Sequence, residues 1–444
     1  MRVALINPPC FYQFEPSLGL CYIAAVLEKA GHEVVIVDKP INTVVGNLSP
    51  ATISEAFDAN FKKVIEEVLR TKPDLIGTTA TSHTFYALKL LGILKELLPE
   101  AKTVAGGPHV TFTADDVLSK YGSVDFVVRH EGEYIMLELT KALEQDHSLE
   151  GIRGLSYRRN DKIVNNPDAP VIEDLDALPY PARHLINLEE YPEETRVTLA
   201  SARGCPHPCI FCEMHQMWRG YRARSVENVL GELAYLVQKY SPKRISFVDS
   251  TFVVDRDRTV RLCRGIREKG LDFIWSVLTR VDHHDRESLQ EMHKAGCRIV
   301  YLGVESGEDT TLSTIQKGIT TSQIENTVKM MLEIGLEVIC SFVINWPFET
   351  MERAEATIQF AKKLKSTGAK IQGHMLIAYP GTEIYDNMEK FNLTPKYWGE
   401  ELWKVLGQQY LPGESIPLLS NNFISERQLS KLWAEITSGF DFWT

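Results

Sequence analysis

Three cysteines fall in one short stretch, Cys205-Pro206-His207-Pro208-Cys209-Ile210-Phe211-Cys212, directly after Arg203 and Gly204. The C-x-x-x-C-x-x-C spacing lets three thiolates converge on one soft metal centre. Two prolines stiffen a loop too short for regular structure. The number of ligands is informative. A structural zinc site closes with four; His207 and His215 are near enough in sequence to supply a fourth, but His207 sits inside the loop between the ligands. A 4Fe–4S cluster held by three cysteines keeps one iron open, and an open iron is available for chemistry.

Such a loop needs a rigid support, and the residues around it supply one. Strands are predicted over 196–200, 244–248, 273–278, 299–302, 337–344 and 369–376. Helical periodicity falls between them over 226–239, 259–269, 285–295, 321–334 and 354–365. Repeated β/α units curl into a full or partial barrel whose function lies at the carboxyl ends of the strands. Those ends carry the cysteine loop, Asp249, Thr279-Arg280, Glu305-Ser306 and Asn345. One polar strand end is usually a helix cap or a turn. Consecutive ends of this kind point to one shared site.

The N-terminal third alternates in the same way. Strands are predicted over 3–6, 33–37, 74–77, 102–105 and 124–128, with helices over 18–30, 60–70, 85–98 and 133–143. This pattern implies a doubly wound, Rossmann-like parallel sheet that binds ligands over the carboxyl ends of its strands. That rim collects Asn7-Pro8-Pro9, Thr78-Thr79 through Ser82-His83, Gly106-Gly107-Pro108-His109 and Glu131-Gly132-Glu133. Paired glycines permit close approach of a large ligand to the backbone. No G-x-G-x-x-G follows the first strand, which disfavours a dinucleotide. The joining segment is read as a hairpin over 154–159 and 162–164 around Asn160-Asp161, then a Pro- and acid-rich ordered linker in which Arg183 and Tyr191 lie at the surface.

The tail from 384 is rich in aromatics, among them Tyr385, Phe391, Tyr397, Trp398, Trp403, Tyr410, Phe423, Trp433, Phe440, Phe442 and Trp443. It is expected to form a mostly helical cap that shields the barrel mouth from water. The expected domains are 1–146, a linker 147–195, a barrel 196–383 and a capping region 384–444.

Composition narrows the partners. The net charge of -11 argues against a nucleic-acid backbone, although Arg219, Arg222 and Arg224 offer a local basic pocket after the cysteine loop. No apolar run reaches membrane-spanning length, and the N-terminus reads as a strand rather than a secretion signal. The chain is expected in the cytoplasm, where Cys10, Cys21, Cys263, Cys297 and Cys340 are no disulfide framework. Cys21, Cys263 and Cys340 read as small core residues and Cys10 as structural.

The cysteine loop after a first strand, with Phe211 before its last cysteine, resembles the radical S-adenosylmethionine (SAM) superfamily. The first domain resembles the cobalamin-binding domain found ahead of such barrels, on Leu5–Pro9, 78–82, Gly106–His109 and Glu131–Glu133. The whole order is similar to the B12-binding radical SAM class. The resemblance implies that Cys205, Cys209 and Cys212 ligate a 4Fe–4S cluster and that SAM chelates the open iron. Phe211 would lie by the adenine and Asp249 by the SAM amino group. Arg280 would meet its carboxylate, Glu305 and Ser306 its ribose, and Asn345 would support the adenine. Ser250 stands where an aspartate is common, and Asn345 and Phe348 replace glycines.

Cobalamin would rest on Asn7, Pro8, Thr78, Thr79, Ser82, Gly106, Gly107, His109, Glu131, Gly132 and Glu133. The D-x-H-x-x-G loop is absent, and neither His32 nor His83 has its aspartate or glycine, so cobalt would carry no histidine from it. The implied reaction is methylation of an unactivated carbon: a 5′-deoxyadenosyl radical removes hydrogen, methylcobalamin supplies methyl, and a second SAM restores it. The runner-up is an oxidative cyclase, as in anaerobic chlorophyll-ring formation. A zinc-stabilised binding module is the alternative of another class. The implied partners are a small-molecule, lipid or peptide substrate and an electron donor such as a flavodoxin or ferredoxin.

Overall fold

The computed structural model describes residues 1–9, 15–40, 50–81, 84–391, 393–395, 419–420 and 423–437. Ser82, His83, Cys10, Tyr397, Trp398, Trp403, Tyr410, Phe440, Phe442 and Trp443 lie outside them. The chain separates into two compact units, one built on Met1–Pro192 and one starting at Glu193.

The first unit holds a seven-stranded sheet in the order β2-β1-β3-β4-β5-β6-β7. Its parallel part is β1 (Arg2–Asn7), β2 (Glu33–Asp38), β3 (Leu75–Thr79), β4 (Lys102–Gly106) and β5 (Phe126–Val128). These are short apolar runs, as strands buried on both faces require. The crossovers are α1 (Leu18–Lys29), α2 (Pro50–Thr71), α3 (Thr84–Leu97), the short α4 (Pro108–Phe112) and α5 (Ala114–Lys120), and finally α6 (Gly132–Gln145). Two short helices replace the loop read after the fourth strand. Gly107, with φ 110°, and Pro108 at the first helical position start α4, and five residues are too few to show periodicity.

The hairpin forms where its turn chemistry predicts, with Asn160 and Asp161 both left-handed at φ 48° and 59°. Its place differs from the expectation. β6 (Leu155–Arg159) pairs antiparallel with β5 and then with β7 (Lys162–Asn165). The hairpin therefore belongs to the sheet rather than to a linker. It covers the edge that β5 would otherwise leave with unpaired backbone groups, and it buries Leu155 and Tyr157. The Pro- and acid-rich segment also packs down. Leu175 and Leu178 join Tyr22 and Val26 in one apolar cluster. Arg183 and Tyr191, expected at the surface, are buried.

The second unit holds a six-stranded parallel sheet, the partial (β/α)6 barrel read from the periodicity. Its strands are β8 (Thr198–Leu199), β11 (Arg244–Phe247), β12 (Ile274–Thr279), β13 (Cys297–Glu305), β14 (Glu337–Ile344) and β15 (Lys370–Met375), hydrogen-bonded in that order. A two-stranded clasp, β9 (Ala202–Arg203) with β10 (Arg222–Ala223), flanks the short helix α7 (Met214–Trp218). The connecting helices are α8 (Val226–Tyr240), α9 (Arg256–Glu268), α10 (Arg286–Lys294), α11 (Asp309–Thr314), α12 (Thr321–Ile334) and α13 (Met351–Ser366). Their starts are set by side-chain caps: Ser225, Asp255 and Thr350, and capping boxes at Asp285/Ser288 and Thr320/Gln323.

Along β14 burial alternates residue by residue, so one face packs under the helices and the other faces the barrel interior. After β15 come α14 (Glu383–Asp386) and, in the tail, α15 (Glu426–Thr437). α15 does not cap the barrel mouth. Its buried Leu429, Leu432 and Ile436 face β15 and α13 in the outer helix layer. Ile436 fills the space over Gly373, where a Cβ would come within 2.8 Å of its Cγ2. An amphipathic helix buries its apolar stripe on the nearest open sheet face, and after β15 that face is the outer one.

Candidate functional site

The cysteine loop is held at its stem by a turn that three elements pin. Asp249, just past β11, turns inward. Its Oδ1 accepts the amides of Ser201 at 2.6 Å and Ala202 at 3.1 Å, and its Oδ2 accepts the Ser201 hydroxyl at 2.5 Å. Arg258 on α9 donates to the Ser201 carbonyl at 2.9 Å, and Arg224 donates to Ala200 O at 2.9 Å. Burial pushes the Asp249 carboxyl up to about 6 despite these hydrogen bonds. Arg224 itself is buried and ion-paired with buried Glu232 at 2.5 Å. The basic pocket expected from Arg219, Arg222 and Arg224 is therefore not open: Glu232 neutralises Arg224, and Arg222 donates to Trp218 O at 2.9 Å. Gly204 has φ 80°, and a Cβ there would stand 1.9 Å from Gly220 O, so only glycine lets the clasp close.

Beyond the clasp the loop docks on two later segments. Ile210 N donates to Ile315 O at 3.3 Å, and Ile384 N donates to Ile210 O at 3.1 Å. Cys205, Cys209 and Cys212 are free thiols. Burial pushes Cys212 up to about 12 and raises Cys209. Cys209 is also raised by Cys205, and Cys212 by both, whereas Lys317 lowers both and Arg280 lowers Cys209. The Arg280 guanidinium lies 3.8 Å from Cys209 Sγ. Three cysteines from one loop, with the cations Arg280 and Lys317 beside them, suit a polynuclear metal centre that brings its own charge.

They do not suit zinc. Zn–S bonds of about 2.3 Å would draw tetrahedral sulfurs to roughly 3.8 Å of one another. Among the described residues, the ligand atoms that gather within 4.8 Å are those of His207, Asp282 and His283, not the three thiols. His207, pushed down to about 4 by burial and then by Arg280, pairs through Nε2 with His283 Nε2 at 2.8 Å. His215 is exposed on α7. Neither histidine joins the cysteines.

The other strand ends meet the loop at the same edge of the sheet. Arg280 is buried, clasps Asp282 through Nε at 2.9 Å and Nη2 at 3.0 Å, and also donates to Lys317 O. Glu305 follows a register shift in β13, takes φ 69°, and pairs with Lys317 Nζ at 2.8 Å. Phe211 meets Trp346 edge-on, with centroids 5.1 Å apart. Asn345 has φ 72°. Its amide donates to Glu349 Oε2 at 2.7 Å and its Nδ2 to Leu419 O at 3.2 Å. Among the described residues its Oδ1, though buried, meets no donor, which leaves an acceptor for a ligand. Glu349 is fully buried and its carboxyl is pushed up to about 8 by burial. Ser306 is used structurally: its hydroxyl meets Thr357 Oγ1 at 3.0 Å and accepts Glu308 N at 3.2 Å, tying the end of β13 to α13.

The structure thus gathers the cysteine loop, Phe211, Arg280, Glu305 and Asn345, and turns Asp249 and Ser306 toward the scaffold. Lys317 was missed by sequence reasoning, whereas Asp282 and Glu349 stand in the strand-end segments after Arg280 and Asn345 and were given no role there.

In the first unit the parallel register brings Asn7, Thr79, Gly106 and the segment from Arg129 to one edge. Asn7 Nδ2 lies 3.3 Å from Asp38 Oδ1, Pro8 is buried, and Thr78 donates to Ile6 O at 3.2 Å. Gly107 is needed for packing, since a Cβ would stand 2.7 Å from Ala80 O. Gly106 lies beside Val128, and a Cβ on Gly132 would touch Ile23 at 3.2 Å. Glu131 Oε2 accepts Ile172 N at 2.9 Å, which fastens the segment after the hairpin, and Glu133 is buried. His109 is 4% exposed and held neutral by burial, which pushes it down to about 4. Its imidazole is therefore not displayed at the rim. The described part of the rim offers backbone and hydroxyl groups around the buried His109.

Two family models match the chain, the B12 binding domain over residues 9–140 and the Radical SAM superfamily over residues 199–361. The sequence is 34% identical, over 87% of this chain and 83% of the relative, to an uncharacterized methyltransferase of Pyrococcus horikoshii. It is 30% identical to the anaerobic magnesium-protoporphyrin IX monomethyl ester cyclase of Rubrivivax gelatinosus, over 78% of this chain and 62% of that enzyme. The fold is similar to that of TsrM, the radical S-adenosylmethionine methyltransferase from Kitasatospora setae solved with cobalamin and a [4Fe-4S] cluster. The TM-score is 0.75 with 18% identity, over 98% of this chain and 91% of that one.

Proposed function

Since this chain belongs to the family of cobalamin-binding radical SAM proteins, we propose that it is a methyltransferase acting on an unactivated carbon. One observation carries the reading: three free cysteines from one loop, with Arg280 3.8 Å from Cys209 Sγ and the charge of Lys317 reaching Cys209 and Cys212, sit at the carboxyl edge of an open β/α barrel that follows a B12-binding domain. The cofactors are a 4Fe–4S cluster, SAM and cobalamin. When bound, the cluster supplies the electron that cleaves SAM, and cobalamin carries the methyl group.

The chain's own residues hold and shield. Cys205, Cys209 and Cys212 hold the cluster. Arg280 offers a guanidinium beside Cys209 for the SAM carboxylate. Phe211, backed by Trp346, and the open Oδ1 of Asn345 offer a wall and an acceptor for the adenine. Glu305 offers an acceptor for the ribose. Asp249 and Ser306 act as positioning residues, because their polar atoms already hold Ser201 and α13. In the first unit Asn7, Thr79 and the loops at Gly106 and Glu131 form the cobalamin rim. The substrate is a small molecule. The single electron comes from a small flavodoxin- or ferredoxin-type protein. The net charge of -11 supports a protein without a nucleic-acid partner. No helix among the described residues is long and apolar enough to cross a membrane, and we place the protein in the cytoplasm.

The 30% identity to a ring-forming cyclase makes cyclisation the second reading, and one assay separates the two. Anaerobically purified protein is incubated with SAM, cobalamin, reductant and candidate substrates. S-adenosylhomocysteine formed together with 5′-deoxyadenosine supports methyl transfer, and 5′-deoxyadenosine alone supports the cyclase. A colourless protein carrying zinc in place of iron would overturn both.

A further inference from the structure

Lys317 is a cation near the cysteine loop that no strand-end motif accounts for. It lies 6% exposed. Gln316 takes a left-handed φ of 56°, an uncommon conformation for a residue with a side chain. Segment 315–317 docks on the loop through its backbone: Ile315 O accepts Ile210 N at 3.3 Å, Gln316 O lies 3.7 Å from Cys209 Sγ, and Lys317 O accepts from Arg280. The ammonium itself stands 2.8 Å from Glu305 Oε1 and 5.9 Å from the centre of the Phe211 ring, which is in the loop. Its charge reaches both Cys209 and Cys212.

The surroundings are shaped for this ion pair. Glu305 is left-handed as well, which stores backbone strain in a residue with a side chain. Gly303 leaves the space the pair needs, since a Cβ there would stand 2.5 Å from Glu305 Oε1 and 2.9 Å from Lys317 Nζ. Stability does not explain such an arrangement, because a buried ion pair roughly breaks even against well-packed apolar residues. Its position does. The reduction potential of an iron–sulfur centre depends on net charge, hydrogen bonds to sulfur and exclusion of water. Adding an electron to a centre already held by three thiolates is opposed by their charge, and a buried cation beside the loop lowers that opposition.

We infer that the Lys317–Glu305 pair sets the field at the cysteine loop, Lys317 raising the reduction potential of the cluster bound there and Glu305 holding Lys317 in place while limiting that rise. The inference rests on the cluster reading above. It assigns Lys317 a positioning and electrostatic role that needs neither SAM nor substrate.

The test is a potentiometric titration of the full-length protein with a reconstituted cluster and no SAM, followed by electron paramagnetic resonance. Iron and sulfide content are measured on every sample. Lys317→Gln is expected to move the midpoint to a more negative potential, Lys317→Arg to restore most of the shift, and Glu305→Gln to move it the other way. Opposite signs from two partners that touch each other would not arise from loosened packing. Unchanged midpoints with normal iron content, shifts of the same sign, or an effect seen only as weaker SAM binding would overturn the inference while leaving the cluster reading intact. Wild-type protein that takes up no iron and sulfide would overturn both.

Discussion

The Asp249 carboxylate, at the end of the second barrel strand, accepts the Ser201 amide at 2.6 Å and the Ser201 hydroxyl at 2.5 Å. The residue expected to greet a cofactor instead fixes the turn from which the cysteine loop departs. Arg258 holds the same turn through the Ser201 carbonyl, so the loop's stem is fastened from both sides before any metal arrives.

Asp249→Ala should therefore damage the loop without removing a ligand. The Ser201 and Ala202 amides would be left buried and unpaired, at a cost of about 1–3 kcal/mol each. Chemical denaturation should show that loss, and iron content after reconstitution should fall in parallel. Asp249→Asn, which keeps an acceptor oxygen, should retain more iron than the alanine variant.

Cys209→Ala should abolish formation of 5′-deoxyadenosine while leaving cobalamin binding in place. The cysteine sits in the second unit, whereas the B12-binding match lies wholly in the first. Bound cobalamin is read from its visible spectrum after gel filtration, and SAM cleavage by chromatography. A Cys209→Ala protein that still cleaves SAM would remove the loop from its assigned role.

The Glu349 carboxyl gives a pH signature. Burial raises it from 4.5 to about 8 in the folded chain, so between those values the folded state holds a proton that the unfolded state has released. The stabilising contribution of this group is fully present below pH 4.5 and is lost as the pH rises through about 8. The slope reaches at most about 1.4 kcal/mol per pH unit. Glu349→Gln keeps an acceptor for the Asn345 and Trp346 amides and does not titrate. Its stability relative to wild type should improve steadily from pH 5 to pH 8 in denaturant titrations at each pH.

Glu232→Ala should be among the more damaging single changes in the barrel. Arg224 would keep its charge in a buried site without its 2.5 Å partner, and breaking such a pair typically costs about 3–5 kcal/mol. Glu232→Ala combined with Arg224→Met should recover part of the loss, since the uncompensated charge is then gone. The measurement is the denaturation midpoint of both variants.

How much of this was legible beforehand depends on the range of each interaction. The cysteine spacing, the alternation of short apolar runs with amphipathic helices, and the Asn160-Asp161 turn are local properties. They determined the metal-binding loop, the two parallel sheets and the hairpin from the sequence alone. Which backbone edge the hairpin covers was decided by β5, whose outer side needed partners. The burial of Arg183 and Tyr191 was decided by packing that no periodicity records. The same holds at the site. That Asp249 turns inward, that Gly107 packs against the Ala80 backbone, and that Lys317 pairs with Glu305 while Gln316 O lies beside Cys209 are contacts between segments far apart in the chain. Residue types show which groups can do chemistry; only the closing of the sheet, and the need to pair every buried donor and charge it creates, decides which of them remain free to do it.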